Sequence, residues 1–356
     1  MASAGLNFTN ITPDNGAIRE VNKLIFKDVL AADRIGSLMN VFRNVYNGDK
    51  VGLVGEFGLL GLAGSGCSPT YGNDQIATTE KEWDIAAWEI AEKICYADLE
   101  NTLVKYTLEN GTNIADLTDN DYLEEVVVPR LELAMMKMYI RLAFFGDTNA
   151  AAVASGGVIT NAADVPYFTL TDGIWQQLFT LATADPTKVV TIAANSSASK
   201  AAQIAGLPAE VIADLDALIA AAPPKLRQLS DQVIYITQTI ATALEQALLA
   251  NRTGSELNWT ETFAGIREGY YRGIKLRVVP MFDEIIQSYE GNGTTYNLPH
   301  RAIYTTERNL ALGVNGRDEF AELDIFFDRT TRLNHIYATD KLGALVLDDD
   351  LVVVAF

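Results

Sequence analysis

Histidine and cysteine are almost missing from these 356 residues: His300 and His335, Cys67 and Cys95, are all there are. Two cysteines without a C-x-x-C spacing cannot make a disulfide scaffold, and their scarcity points to a reducing cytoplasm. Neither histidine stands in H-E-x-x-H or beside a cysteine pair, so the three or four ligands of a zinc site are not in view. Basic residues are also few, 27 Lys and Arg against 46 Asp and Glu, for a formal charge of −19. A chain without a basic run has nothing with which to displace counterions from phosphates, which excludes a nucleic-acid-coating surface. The acidic excess also keeps the chain soluble and stops it sticking to DNA by general attraction. No stretch approaches the roughly 20 apolar residues of a membrane span, and MASAGLNFTN has neither the basic nor the apolar part of a signal peptide. No membrane partner is expected, and triplets such as Asn251-Arg-Thr253 read as chance.

What is present is a globular composition, 49% hydrophobic and 21% charged, in a chain long enough for one large domain or two ordinary ones. Asp14 or Asn15 caps a helix with Ile18, Val21, Leu24, Ile25 and Val29 on one face, and Ile35, Leu38, Met39 and Phe42 continue the apolar set. Such short pieces must dock on the body or on another chain. From Val51 to Lys93 a glycine-rich run, a polar turn and an alternation through Thr79, Lys81, Trp83 and Ile85 read as a long β-hairpin. Arms of about 20 residues would reach on the order of 65 Å, against a radius of gyration of about 20 Å for a compact chain of this size. Its Leu59, Leu60, Trp83 and Trp88 are therefore expected to need a neighbouring subunit.

Ile94 to Glu100 reads as a short helix start. Asp119 or Asn120 then begins a long helix ended by Gly146, in which Pro129 marks a kink or the first turn of the main segment. After an Ala-, Gly- and Ser-rich stretch at 149–163, helices are expected near 172–179, from Pro208 to Ala221 and from Thr239 to Leu249. Strands are expected at 232–237, 274–279 and 301–305. The end returns to β at 320–327, 332–337, 344–347 and 351–354, with Asp348-Asp349-Asp350 as a turn. The fold class expected is α+β.

Residues 52–66, GLVGEFGLLGLAGSG, hold six glycines, yet Gly64-Ser65-Gly66 is followed by Cys67-Ser68-Pro69, with no lysine and no helix start. That lacks the strand–loop–helix setting of a phosphate-binding loop, and a structural ribbon is the better reading. Ser197-Ala-Ser-Lys200 matches S-x-x-K, but of its partner motifs only Ser230-Asp231-Gln232 comes near. Asp116 to Asp121 and Asp348 to Asp350 lack the glycine and closing Glu of a calcium loop and read as helix capping and turn. No catalytic, cofactor-binding or metal-binding residue is assigned, no cofactor is expected, and the chain is not expected to be an enzyme.

The order of the parts carries more than any one motif. An N-terminal arm, a glycine-bearing hairpin, Ile94-Cys-Tyr-Ala-Asp-Leu99 and a long helix ending in Gly146-Asp147 come first. Gly273-Ile-Lys-Leu-Arg-Val-Val-Pro280, Asn309-Leu-Ala-Leu-Gly313, Asp340-Lys-Leu-Gly343 and Val352-Val-Val follow. Across nearly the whole chain this resembles a tailed-bacteriophage major capsid protein of the Hong Kong 97 fold. The resemblance implies an N-arm at 1–50, an E-loop at 51–93, a P-domain with spine helix at 94–155 closed by strands at 315–356, and an A-domain at 156–314. It implies self-assembly into hexamers and pentamers of an icosahedral shell around packaged double-stranded DNA, enclosed without sequence-specific binding. Partners would be other copies of the chain, portal and scaffolding proteins, and decoration proteins; the place would be the virion, assembled in the host cytoplasm. Pro129 departs from an uninterrupted spine helix, and no cross-link is assigned. The alternatives are an encapsulin-type nanocompartment shell, which shares the fold, and a nucleotide-dependent enzyme.

Overall fold

Three short runs, QVIYI, AIYTT and VVA, are apolar or uncharged at every position, the pattern of strands covered on both faces rather than one. In the computed structural model, which describes residues 35–54, 78–95, 128–250, 259–263, 265–315, 322–328, 330 and 333–356, all three lie inside one sheet. The first elements are α1 (Ile35–Leu38), β1 (Asn40–Arg43), β2 (Lys50–Val54), β3 (Thr78–Glu82), β4 (Ala86–Cys95) and α2 (Val128–Phe145). The middle holds α3 (Ile174–Ala184), β5 (Val189–Val190), α4 (Lys200–Ala221), α5 (Pro224–Arg227), β6 (Gln232–Ile236) and α6 (Gln238–Ala250). Then come β7 (Thr260–Phe263), β8 (Ile266–Tyr271), β9 (Ile274–Val278), α7 (Pro280–Tyr289) and β10 (Ala302–Thr306). The chain closes with β11 (Leu310–Val314), β12 (Glu322–Asp328), β13 (Leu333–Val346) and β14 (Val353–Ala355).

A seven-stranded sheet has the order β5-β14-β10-β6-β9-β8-β7, with β5/β14 and β6/β9 parallel and the other pairs antiparallel. Successive side chains point to opposite faces. Val233, Tyr235, Ile303 and Val354 thus join a core with α2, α3 and α7. Ile234, Ile236, Tyr304 and Val353 join a second core with α4 and α6. A five-stranded sheet has the order β1-β11-β13-β12, with β4 also paired to β13. Its inner face, through Leu310, Leu312, Leu342 and Val346, packs in the first core. Its outer face carries a small separate cluster of Val45, Trp83, Ile85, Ala311 and Leu345. β2 and β3 form the third sheet, an antiparallel pair.

Helices near 172–179 and 239–249, strands at 232–237, 274–279 and 301–305, and a turn at Asp348–Asp350 all appear close to their expected places. Residues 35–45 dock on the body, one of the two placements expected for them: Ile35, Leu38 and Met39 are buried, and β1 lies parallel to β11. Several other expectations need correction. The segment after Trp83 does not continue the hairpin, because β4 pairs with β13 from Leu342↔Ala86 to Leu333↔Cys95. Ile94 and Cys95 are therefore strand, not a helix start. Trp83 and Trp88, 2% and 4% exposed, are covered by their own chain and need no neighbour.

α4 begins at Lys200 rather than Pro208, because the Ser199 hydroxyl caps it by accepting from Ala202 N at 3.2 Å, and Pro208 sits inside the helix. The expected strands at 332–337 and 344–347 are one strand, β13, which hands its pairing from β12 to β11 near Leu342. Sheet membership also crosses the expected boundary at 314/315: β11 lies in the five-stranded sheet and β14 in the seven-stranded one. Pro129 is the second residue of α2 as described, and residues 119–127 lie outside the described residues, as do Leu59 and Leu60.

Candidate assembly elements

The β2–β3 pair runs from Lys50↔Glu82 to Val54↔Thr78, and residues 55–77 between them, with most of the glycine run, lie outside the described residues. Its root is held at Trp83. Trp83 N donates to Asp49 O and Gly48 N donates to Trp83 O, both at 2.9 Å, while Ile85 N donates to Asn47 Oδ1 at 3.2 Å. Beneath lies a cross-strand pair of glycines, Gly313 on β11 and Gly343 on β13. A Cβ on Gly313 would come within 2.8 Å of the Trp83 ring, and one on Gly343 within 2.2 Å of Asp84 O. Only a residue without a side chain lets the indole approach the sheet this closely. Phe42 covers the ring from the side, with centroids 5.8 Å apart.

Lys81 on β3 makes a second tether, donating at 2.6 Å both to Val346 O and to Asp349. Asp349 belongs to the acidic turn, where Lys188 reaches Asp350 at 3.2 Å and Lys225 reaches Asp348 at 3.4 Å. Three lysines from three separate elements thus converge on three successive aspartates. This explains the acidic run without a cation: the turn ties the hairpin, the seven-stranded sheet and α5 together. Among the described residues, no group of three or more His, Cys, Asp or Glu side chains is placed to hold a metal ion.

The other motifs disperse. Ser197 precedes the cap of α4, while the Lys200 ammonium lies over the Tyr296 ring at 4.4 Å. His300 is fully buried, its Nδ1 2.9 Å from Thr239 Oγ1 and its Nε2 3.0 Å from Gln203 O, and burial lowers its pKa. It is a core histidine that joins α4, α6 and β10. His335 lies in β13, opposite Phe326 and Lys93. Asp231 borders an open cleft of about 570 Å³ with Tyr270, Arg272, Lys275 and Glu307. Its charges are matched: Arg272 to Asp216, Lys275 to Glu307 at 2.7 Å, and Asp231 to Arg308 at 3.6 Å. Cys67 and Asp116 to Asp121 lie outside the described residues. No described helix is long and apolar enough to cross a membrane.

Sequence reading missed the glycine pair and the three lysines. The signal for the first was present, since a lone glycine inside a strand pattern marks close approach. Nothing in the sequence points Lys81, Lys188 and Lys225 to one turn.

No family model matches the chain, and no curated protein matches it either. Solved structures do. A chain of the satellite phage P4 procapsid structure that includes the size determination (Sid) protein superposes with a TM-score of 0.51 at 13% identity, over 94% of this chain and 98% of that one. A chain of the cyanophage Pam1 capsid gives a TM-score of 0.46 at 14% identity, over 100% and 98%. A chain of the empty GTA particle capsid gives 0.48 at 10% identity, over 91% and 89%. The protein has the fold of a phage capsid protein, the α+β Hong Kong 97-like architecture that the order of its parts resembles.

Proposed function

We propose that this protein is a phage major capsid protein, which assembles into hexamers and pentamers of an icosahedral shell around packaged double-stranded DNA. The observation that carries the reading is the likeness to a chain of a phage procapsid over 94% of this one. The shape agrees with it: a β2–β3 hairpin rises from a body that is already fully cored, so the hairpin is free to serve a contact between copies. In this reading the N-terminal arm and the E-loop overlap neighbouring subunits, and the role is structural rather than enzymatic. Portal, scaffolding and decoration proteins are the further partners, and the virion is the place. A net charge of −19 suits a wall that must not grip the DNA it encloses. Head-to-tail contacts repeated around an axis close into rings, which is what a shell requires.

The test is electron microscopy of the purified full chain, where rings or closed shells of many copies are expected. A stable monomer at high concentration would overturn the proposal. Deleting residues 55–72 should leave the two cores folded, as read by circular dichroism and a cooperative melt, while abolishing shells.

A further inference from the structure

The hairpin root is a built joint. Two cores hold the body, and among the described residues neither contains a residue of β2 or β3. The hairpin meets the body through the small third cluster, where Trp83 is the largest buried side chain and Phe42 and Val51 pack against it, and through Lys81. Farther along β2, no atom of the described residues lies within 4 Å of where a Gly52 side chain would begin. The direction of the pair therefore depends on how Trp83 sits. That seat is steeply defined. The indole is pressed on Gly313, Asp84 and Ile85 are pressed on Gly343, and a single added carbon at either glycine meets atoms at 2.8 Å or 2.2 Å. Interiors at such density have discrete arrangements rather than graded ones.

We propose that Trp83, seated on Gly313 while Asp84 and Ile85 press on the adjacent Gly343, is the positioning residue that fixes the angle at which the hairpin leaves the body. Through that angle it sets the rotation between neighbouring subunits and hence the diameter of the shell. This second step rests on the shell reading above. The physical link is that a head-to-tail contact closes only at the rotation its geometry dictates, so a tilt at the joint changes how many copies close.

The experiment has two readouts on the full chain. Spin labels are placed at Gly52→Cys and Thr180→Cys in a Cys67→Ser, Cys95→Ser background, and their distance distribution is measured by pulsed electron resonance. The unchanged root should give one narrow distance; Trp83→Ala and Gly313→Ala should each lose it, with the melt of the body retained. If Trp83→Ala does not fold, Gly313→Ala and Lys81→Met, which removes the second tether, decide the matter. A broad distribution in the parent, or a narrow unshifted one in every folded variant, overturns the positioning role. In the second readout, particles of the same variants without labels are sized by electron microscopy, and mixed or shifted diameters are expected. Uniform parental shells despite a lost distance overturn the link to diameter. Parent protein that holds the narrow distance but never forms shells supports the joint and overturns the shell reading instead.

Discussion

Asp340 sits on the inner face of β13, in register with Trp88 on β4, only 5% exposed, with Ala338 and Leu342 two residues to either side. Burial pushes its carboxyl up to about 6, against 3.8 unfolded, although Lys341 N donates to it at 2.7 Å. A folded pKa above the unfolded one means that the native state binds the extra proton, so stability falls as pH rises from about 4 to about 6. Asp340→Asn keeps the acceptor for Lys341 and removes the charge. Its denaturant midpoint should exceed the parent's at neutral pH and converge with it near pH 4; equal midpoints at neutral pH would show that the carboxylate costs nothing.

Arg301 presents the opposite case, a buried charge that is fully matched. Its guanidinium pairs with Glu290, donates from Nε to Leu298 O at 2.8 Å, and lies 5.4 to 5.5 Å from the ring centres of Phe145, Trp175 and Phe179. Glu290→Gln leaves a buried guanidinium without its counter-charge. Removing one partner of such a pair costs about 3–5 kcal/mol, which the denaturant midpoint will show.

Among the elements, α4 and the β8–β9 turn show how local signals combine and compete. A proline is common in the first turn of a helix, so Pro208 reads as a start. Ser199, nine positions earlier, is the actual cap, and Val211, Leu215 and Leu218 against α6 hold the helix together past the proline. Ser199→Ala should lower stability by about 1 kcal/mol, read from the same denaturant curves. The turn between β8 and β9 places Arg272 at φ 50° and Gly273 at φ 83°, the two left-handed residues of a tight hairpin turn. Arginine is a poor choice for that backbone, but here its guanidinium pairs with Asp216 on α4, which also accepts from Tyr271 Oη at 2.9 Å. The helix thus compensates a strain in the turn.

For the molecule as a whole, a charge of −19 repeated on every copy opposes assembly, and salt screens that repulsion over roughly 10 Å at 0.1 M. Assembly followed by light scattering should therefore quicken as salt is raised; slowing would mean that attraction between opposite charges drives the contact.

How much of this was legible varied with the range of the contact. The strands Gln232–Ile236 and Ile274–Val278 and the helix Gln238–Ala250 were legible because their apolar spacing is local and both faces or one stripe are buried. The long reach of β13 was not, since two short strands at 332–337 and 344–347 were expected where one strand pairs with both β4 and β11. The joint at Trp83 was misread as a contact for a neighbour, because an aromatic residue in a hairpin pattern does not say which surface covers it. By itself the sequence determined the α+β class, the order of parts, the acidic net charge and the scarcity of histidine and cysteine. Those are properties of composition and of neighbours along the chain. Only the tertiary structure decided that Trp83 rests on Gly313, 230 positions away, with Asp84 and Ile85 on Gly343 beside it, and that three distant lysines meet one acidic turn. Contacts across such separations are set by how sheets and helices pack, and no local pattern encodes them.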